Sequence, residues 1–197
     1  MHLQKGDLVI FPTDTIYGVG CRIDREDSIK RLYEIRKTPL SKPTLILAAD
    51  LNQVLNYGEL DNFAEKLVSK FWPGPLTAIL KATDNVPKII QGPAASIGIR
   101  IPKQHLLREI IKRVGVPILA PSANFHTKRA PVSFSQIDKA LLALVDYAID
   151  LSSLDGAQVL SSLQSTLINL TKSPSEILRE GAISRQEIEH LVEEPVK

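Results

Sequence analysis

The stretch Phe11-Pro-Thr-Asp-Thr-Ile-Tyr-Gly-Val-Gly20 decides the fold. It overlaps the apolar run Leu8–Phe11, whose β-branched centre predicts a buried strand. Pro12 ends that strand, because a proline cannot donate a backbone hydrogen bond to a central ladder. Two hydroxyls, a carboxylate and a phenol then follow the strand end, which is where open α/β sheets bind ligands. The stretch therefore predicts either a polar small-molecule site or an ordinary strand–turn, since Asp and Thr are common turn residues.

Composition predicts one globular domain over residues 1–197, with 44% hydrophobic and 23% charged residues. No apolar run approaches the roughly 18 residues of a membrane span, and no signal-peptide pattern opens the chain, so we expect no membrane contact and a cytoplasmic location. The single cysteine, Cys21, excludes an internal disulfide and is read as a small buried hydrophobe. Scattered histidines give no zinc spacing, and a net charge of +2 does not favour tight RNA binding.

Apolar patterns along the rest of the chain alternate between strand and helix, which predicts an α/β domain with a mixed sheet. Further strands are predicted over Thr44–Ala49, Leu76–Lys81, Ser96–Ile101, Pro117–Ala120, Tyr147–Leu151, Ser165–Leu170 and Glu176–Arg179. Helices are predicted from a cap at Asp24 or Asp27 to about Arg36, after a cap at Asp61, over Lys103–Val114 with Gly115 as C-cap, from a Ser133/Gln136 capping box to about Leu144, and after a Ser184/Glu187 capping box. No helix is expected in the few residues before the first strand.

A set of ordered motifs carries a family resemblance. Besides Phe11–Gly20 they are YEIRKTPLSKP at 33–43, FWPGPLT at 71–77, SIGIRIP at 96–102, PILAPSAN at 117–124, STLINL at 165–170 and ILREGAI at 177–183. In this order they resemble the YrdC-like threonylcarbamoyl-AMP synthases. The resemblance implies a single domain with a twisted, mostly mixed open sheet and helices around a large concave cleft.

The same resemblance implies an activity. Members of the family join L-threonine, bicarbonate or CO2, and ATP into threonylcarbamoyl-AMP and pyrophosphate, for the modification of a tRNA adenosine. Mg²⁺ is expected with the ATP, without assigned protein ligands. A downstream threonylcarbamoyl-transferase complex is the implied partner, and a weak contact with tRNA or RNA is a further expectation.

The resemblance implies an L-threonine site made of Thr13, Tyr17, Arg100 and Ser165. Arg100 interrupts an apolar strand, and a charge there needs a partner. Its planar guanidinium suits a bidentate grip on a carboxylate, and a structural salt bridge is the alternative. Tyr17 suits either a substrate contact or a half-buried position in the core.

The resemblance also implies an ATP site, made of Arg36, Thr38, Lys42, Ser122, Asn124, Arg129 and Arg179. Without it, Ser122-Ala-Asn124 is an ordinary turn, Arg129 a solvated charge and Arg179 a strand-end surface arginine. The chain has no Walker A motif, no Gly-x-Gly-x-x-Gly and no visible catalytic dyad. ATP binding is therefore expected to depend on scattered cations and strand-end donors, and no catalytic residue is predicted.

Two departures from the family pattern leave alternatives open. The family commonly has Lys-x-Arg-Pro where this chain has Arg36-Lys37-Thr38-Pro39, so Thr38 replaces a phosphate cation that Lys42 is placed to supply, while Lys37 is expected to point away. Gln164 stands where an acidic residue is frequent, and 154–164 lacks the usual Gly-rich turn. The alternatives are a divergent nucleotide-binding relative with little turnover, or an RNA-binding module on the same fold, against which the few aromatic residues argue.

Overall fold

A mixed β-sheet runs through the centre of the computed structural model, which describes residues 1–150, 163–192 and 196. The strands are β1 Val9–Pro12, β2 Tyr17–Arg22, β3 Ile46–Leu47, β4 Gly58–Glu59, β5 Leu76–Ala82, β6 Ser96–Arg100, β7 Ile118–Leu119, β8 Tyr147–Ala148, β9 Thr166–Asn169 and β10 Glu176–Arg179. The helices are α1 His2–Lys5, α2 Glu26–Ile35, α3 Leu51–Leu55, α4 Asn62–Phe71, α5 His105–Val114, α6 Lys139–Leu142 and α7 Arg185–Val192, with 3₁₀ turns at Lys88–Ile90 and Phe134–Gln136.

The strand order is β10-β9-β5-β6-β3-β7-β2-β1-β8, with β4 paired to β5. Three of the pairs, β3 with β6, β5 with β9 and β1 with β8, are parallel, while the other pairs are antiparallel. The predicted α/β class with a mixed open sheet is therefore confirmed. Among the helices of the described residues, none has the length and apolar character needed to cross a bilayer.

Alternating side chains of the strands feed two hydrophobic clusters on opposite faces of the sheet. Ile10 of β1 belongs to the larger cluster, which also contains apolar residues of α2, α4 and α7. Its neighbour Phe11 belongs to the smaller cluster, together with Leu107 and Ile111 of α5. The loops at the strand ends are thus held between two packed layers.

Side-chain oxygens cap several helices where the sequence predicts them. The Asp61 carboxylate accepts a hydrogen bond from Ala64 N at 2.7 Å, which starts α4. Gly115 ends α5 with a φ of 87°, a left-handed conformation that glycine adopts without a Cβ penalty. The final capping box is reciprocal, because Ser184 N donates to Glu187 Oε2 at 2.8 Å and Glu187 N donates to Ser184 Oγ at 3.2 Å.

Other predicted helix starts are wrong. Neither Asp24 nor Asp27 caps α2, whose N-cap residue is Arg25 with no side-chain cap. The Ser133 box does not open a long helix: the Gln136 side chain accepts from Val132 N at 2.9 Å and closes a single 3₁₀ turn. The helix that follows, α6, is short and is capped by Asp138 instead.

The expectation of no helix before the first strand is wrong, because α1 spans His2–Lys5. The sequence patterns also do not predict helix α3 or strands β2 and β4. Asp50 caps α3 by accepting from Gln53 N at 2.9 Å. Strand β2 contains Gly18 and Gly20, which make it resemble a turn in sequence. A Cβ on Gly20 would lie 2.0 Å from the Leu119 carbonyl oxygen, so the close approach of β7 requires a glycine there. The segment 151–162, which includes most of 154–164 and the end of the predicted strand Tyr147–Leu151, lies outside the described residues.

Candidate active site

Two adjoining cavities occupy the concave side of the sheet. The larger has a volume of about 740 Å³ and the smaller about 70 Å³. Leu45, Ser122 and Arg179 line both, so the cavities form one continuous cleft. The predicted L-threonine residues Thr13, Arg100 and Ser165 line the small cavity. The large cavity is lined by the predicted ATP residues Arg36, Thr38, Lys42, Ser122, Asn124 and Arg179.

Arg100, at the end of β6, forms the base of the small cavity and is only 4% exposed. Its Nη1 donates to Thr15 Oγ1 at 2.7 Å, and its Nε donates to the Gly74 carbonyl oxygen at 2.9 Å. Its Nη2 lies 2.7 Å from Asp14 Oδ1, yet makes no aligned hydrogen bond to the described residues. Burial lowers the pKa of Arg100, and the Asp14 carboxylate opposes that shift. Arg100 therefore has its structural salt bridge and still faces the cavity.

The loop between β1 and β2 is organised by the Thr13 hydroxyl. Thr13 Oγ1 donates to the Ile16 carbonyl oxygen at 2.7 Å and accepts from the backbone N–H groups of Thr15 and Ile16, each at 3.1 Å. Residues 13–16 therefore form the turn that the strand–turn alternative predicts for this stretch. The turn also presents Thr15 to Arg100 and brings Asp14 beside it, so it positions the guanidinium.

Arg179, on the edge strand β10, closes the other side of the small cavity. Its Nε and Nη2 donate to the Ser165 carbonyl oxygen at 3.1 and 2.9 Å. The Ser165 hydroxyl in turn lies 2.8 Å from Thr77 Oγ1, a polar contact inside the sheet. Burial lowers the pKa of Arg179, and the nearby positive charge of Arg100 lowers it further. Two guanidinium groups therefore face one small space.

Arg36, directly after α2, is the most strongly desolvated cation of the large cavity. It is 7% exposed, and burial lowers its pKa to about 10. Its Nε donates to the Asn124 carbonyl oxygen at 3.1 Å, and its Nη1 donates to Thr38 Oγ1 at 3.2 Å. Within 1–150, 163–192 and 196, no carboxylate lies within salt-bridge distance of Arg36 or Arg179. A buried cation without a carboxylate is a typical anion-binding arrangement.

Asn124 is held by two backbone carbonyl oxygens, those of Phe125 and Lys128, to which its Nδ2 donates at 2.9 and 2.7 Å. Its Oδ1 is buried and has no hydrogen-bond partner among the described residues. Ser122, two residues earlier, lines both cavities. The Ser-x-Asn segment therefore offers an oriented acceptor and a hydroxyl at the junction of the cleft.

Two predicted site residues lie elsewhere. Tyr17 is buried in the core, with its ring edge-on to Phe134 at 6.0 Å, and lines neither cavity. Its alternative, a core aromatic, is the one the structure favours. Arg129 lies outside both cavities as well, and Lys128 lines the large one in its place. Thr127 has a φ of 70°, so the turn redirects the two side chains that follow it.

The departure at Thr38 has a local explanation. Thr38 lines the large cavity and accepts a hydrogen bond from Arg36, so it orients the remaining cation. Lys37 has a φ of 55°, and its Nζ lies 5.3 Å from the centre of the Phe125 ring, away from the cleft as expected. Lys42 is exposed and lines the large cavity.

Several lining residues were not predicted from the sequence. They are Thr44, Leu45, His126, Asn169, Lys172 and Gln164. Asn169 is the last residue of β9, and Lys172 follows it. Both lie on the opposite wall from Arg36, and only the strand order brings them to the cleft. A lysine and an asparagine beside the end of an apolar strand were the only signal in the sequence.

Among the described residues, no Asp or Glu lines either cavity. The large cavity is lined by Arg36, Lys42, Lys128, Lys172 and Arg179, and by no Asp or Glu among the described residues. In the same part of the chain, no group of three His, Cys, Asp or Glu side chains is placed to hold a metal ion. The positive side chains of this lining suit an anionic group.

The open mixed sheet and the two-part cleft define an α/β protein whose described residues line that cleft with arginine and lysine side chains. The Sua5/YciO/YrdC family model, described as telomere recombination, matches residues 1–181, and the chain belongs to this family.

Known relatives agree with that assignment. The chain is 33% identical over 193 residues to the threonylcarbamoyl-AMP synthase of Pyrococcus abyssi, a match that covers 98% of this chain and 55% of the relative. The crystal structure of P. abyssi Sua5 complexed with L-threonine is similar with a TM-score of 0.89 at 32% identity, over 99% of this chain and 56% of that one. The crystal structure of E. coli YciO gives 0.83 at 26% identity, over 94% and 88%. The chain thus spans about half the length of the P. abyssi protein.

Proposed function

We propose that the protein is an L-threonylcarbamoyladenylate synthase, which converts L-threonine, bicarbonate or CO2, and ATP into threonylcarbamoyl-AMP and pyrophosphate. The observation that carries the proposal is the division of one cleft into a small and a large cavity that share Ser122 and Arg179. An amino acid and a nucleotide placed in the two parts would meet at that junction. The activity named for the P. abyssi relative, and the L-threonine with which P. abyssi Sua5 was crystallised, support the assignment.

L-Threonine is assigned to the small cavity. Its carboxylate pairs with the guanidinium group of Arg100, which lines the cavity while it keeps its ion pair with Asp14. The loop ordered by Thr13 and the buried Ser165 hydroxyl bound the remaining space. Tyr17 lines neither cavity and contributes by packing in the hydrophobic core.

ATP is assigned to the large cavity. Its phosphates pair with the buried Arg36 and the half-buried Arg179, neither of which has a carboxylate partner among the described residues, and with the exposed Lys42. The unpartnered Oδ1 of Asn124 accepts from a donor of the nucleotide, and Thr38 keeps Arg36 in place. Arg129 is replaced in this role by Lys128.

The chemistry needs positioning and charge stabilisation more than a protein nucleophile. A carbamate oxygen of the N-carboxylated threonine attacks the α-phosphorus of ATP, the new P–O bond forms, and the bond to the β-phosphate oxygen breaks to release pyrophosphate. Arg36 and Arg179 stabilise the negative charge that develops on the phosphate oxygens. The burial of Arg36 keeps water away from its guanidinium group, which strengthens this stabilisation.

The proposal also includes the metal ion, the partners and the cellular location of the reaction. ATP enters as its Mg²⁺ complex, with the metal held by the phosphates, because the described lining offers it no carboxylates. The product passes to a threonylcarbamoyl-transferase complex in the cytoplasm. A weak contact with tRNA stays a prediction, for which an affinity that falls steeply with salt would be the sign.

Pyrophosphate release from Mg·ATP tests the proposal, measured with and without L-threonine and bicarbonate. Release that requires both co-substrates is expected. Arg100→Ala should weaken L-threonine binding by about 2–4 kcal/mol, whereas Arg113→Met, a change at an exposed arginine outside the cavities, should not. ATP or L-threonine binding without release would favour a divergent relative with little turnover, and binding of neither would favour the RNA-binding module.

A further inference from the structure

The small cavity carries an unbalanced charge. Arg100 and Arg179 line it from two different strands, and its described lining includes no Asp or Glu. Asp14 compensates Arg100 but is not part of the lining. Gln164, a neutral residue, lines the cavity next to Ser165.

This charge acts at short range and in a buried setting. Arg100 and the hydrogen-bonded Ser165 are 4% and 3% exposed, so little solvent separates a ligand from the guanidinium groups. Arg179 is fixed on the Ser165 carbonyl oxygen and has no carboxylate partner among the described residues. Burial lowers the pKa of Arg179, and the positive charge of Arg100, which lines the same cavity, lowers it further. A second positive group would be repelled, and a second negative group would be attracted.

A free amino acid in water is a zwitterion, with an ammonium group two bonds from its carboxylate. The carboxylate suits Arg100, but the ammonium group would then share a cavity that Arg100 and Arg179 both line and to which the described residues contribute no carboxylate. We propose that the small cavity binds the amino acid as an anion with a neutral amine, and that it favours the N-carboxylated dianion further. This inference rests on the proposed function and adds the protonation state in which the substrate is held.

The consequence for the reaction is direct. The zwitterion releases its ammonium proton to solvent on binding. The lone pair of the amine then attacks the carbon of bicarbonate, an N–C bond forms, and hydroxide leaves with the second amine proton as water. L-Threonine anion and HCO3⁻ thus give the carbamate dianion and H2O, with atoms and charge balanced. The site would need no general base, because its electrostatics deprotonate the nucleophile.

Proton release measured by calorimetry tests the inference. L-Threonine is titrated into the full chain at pH 7 without bicarbonate, in buffers of different ionisation enthalpy. We expect about one proton released per threonine bound, and an affinity that rises about tenfold per pH unit between pH 7 and pH 8. The charged groups facing the ligand are Arg100 from β6 and Arg179 from β10, with Asp14 behind Arg100 and with His126 and the lysines in the large cavity.

A matched ligand serves as control. 2,3-Dihydroxybutanoate has a hydroxyl in place of the ammonium group, so it should bind at pH 7 more tightly than L-threonine, without proton release and without pH dependence. Zero proton release with L-threonine, or tighter binding of L-threonine than of the hydroxy acid at pH 7, would overturn the inference. If pyrophosphate release still requires both co-substrates, the proposed function stands while the inference fails. If L-threonine does not bind and nothing is released, both fail.

Discussion

Replacing Arg36 with methionine should stabilise the protein and weaken ATP binding. Arg36 is 7% exposed, and burial lowers its pKa to about 10. Such a shift corresponds to about 3 kcal/mol by which the folded protein disfavours the charged form. Methionine keeps most of the aliphatic volume and removes this cost. It also leaves the Asn124 carbonyl oxygen and Thr38 Oγ1 without their donor, at about 1 kcal/mol each. The net expectation is a gain of about 1 kcal/mol in the free energy of unfolding.

ATP affinity should move in the opposite direction. Loss of a buried cation that pairs with phosphate costs at least about 2 kcal/mol, or about 30-fold in Kd. Urea unfolding without ligand and calorimetric titration with Mg·ATP measure the two effects. Arg113→Met is the matched control, because Arg113 is exposed and lines neither cavity, so it should leave ATP affinity unchanged. The reasoning is refuted if Arg36→Met lowers the free energy of unfolding by more than about 1 kcal/mol, or leaves ATP affinity within about threefold of the wild type.

Three further predictions concern Asp14, Thr38 and Cys21. Asp14→Asn should lower the free energy of unfolding, measured by urea denaturation, by about 3–5 kcal/mol. The reason is that Asp14 Oδ1 lies 2.7 Å from Arg100 Nη2 and both side chains are only 5% exposed. A loss below about 1 kcal/mol would contradict the importance of this ion pair. Thr38→Arg should tighten ATP binding and speed pyrophosphate release by restoring a second cation beside Arg36; unchanged values would mean that Lys42 or Lys128 already supplies it. Burial raises the pKa of Cys21 to about 12. The native thiol should therefore resist alkylation at pH 8. The protonated thiol contributes fully to the free energy of unfolding below about pH 9, and this contribution should decline by about 1.4 kcal/mol per pH unit up to pH 12. In Cys21→Ala this alkaline slope should disappear, and rapid native alkylation would show the burial to be wrong.

Local chemistry made much of the fold predictable. The caps at Asp61, Gly115 and Ser184 depend on residues within one turn of the helix end, so the sequence contains the whole interaction. The period of the apolar residues places the longer helices and most strands for the same reason. Strand β2 is not predicted because Gly18 and Gly20 resemble a turn, and the need for Gly20 comes from the Leu119 carbonyl oxygen, a partner about one hundred residues away in the chain.

In the candidate site, too, residue types can be predicted from the sequence, but their partners from distant parts of the chain cannot. A lone arginine in an apolar strand, here Arg100, predicts that a polar partner exists, but it does not predict that Asp14 and Thr15 are the partners. Family likeness supplied the positions of Ser165 and Asn124, while their contacts depend on the strand order. Lys128 and not Arg129 lines the large cavity, and these two adjacent cations cannot be told apart by residue type alone.

Strand β10 lies at the edge of the sheet in the described residues, and its pairing with β9 shifts register between Ile177 and Arg179. Edge strands open locally at a lower free energy than central ones. Backbone amides of β10 should therefore exchange with deuterium well before those of β5 or β7. An anion held by Arg179 would tie this strand to the interior and slow its exchange, so occupancy of the cleft can be followed from the backbone of a single strand, without any chemical turnover.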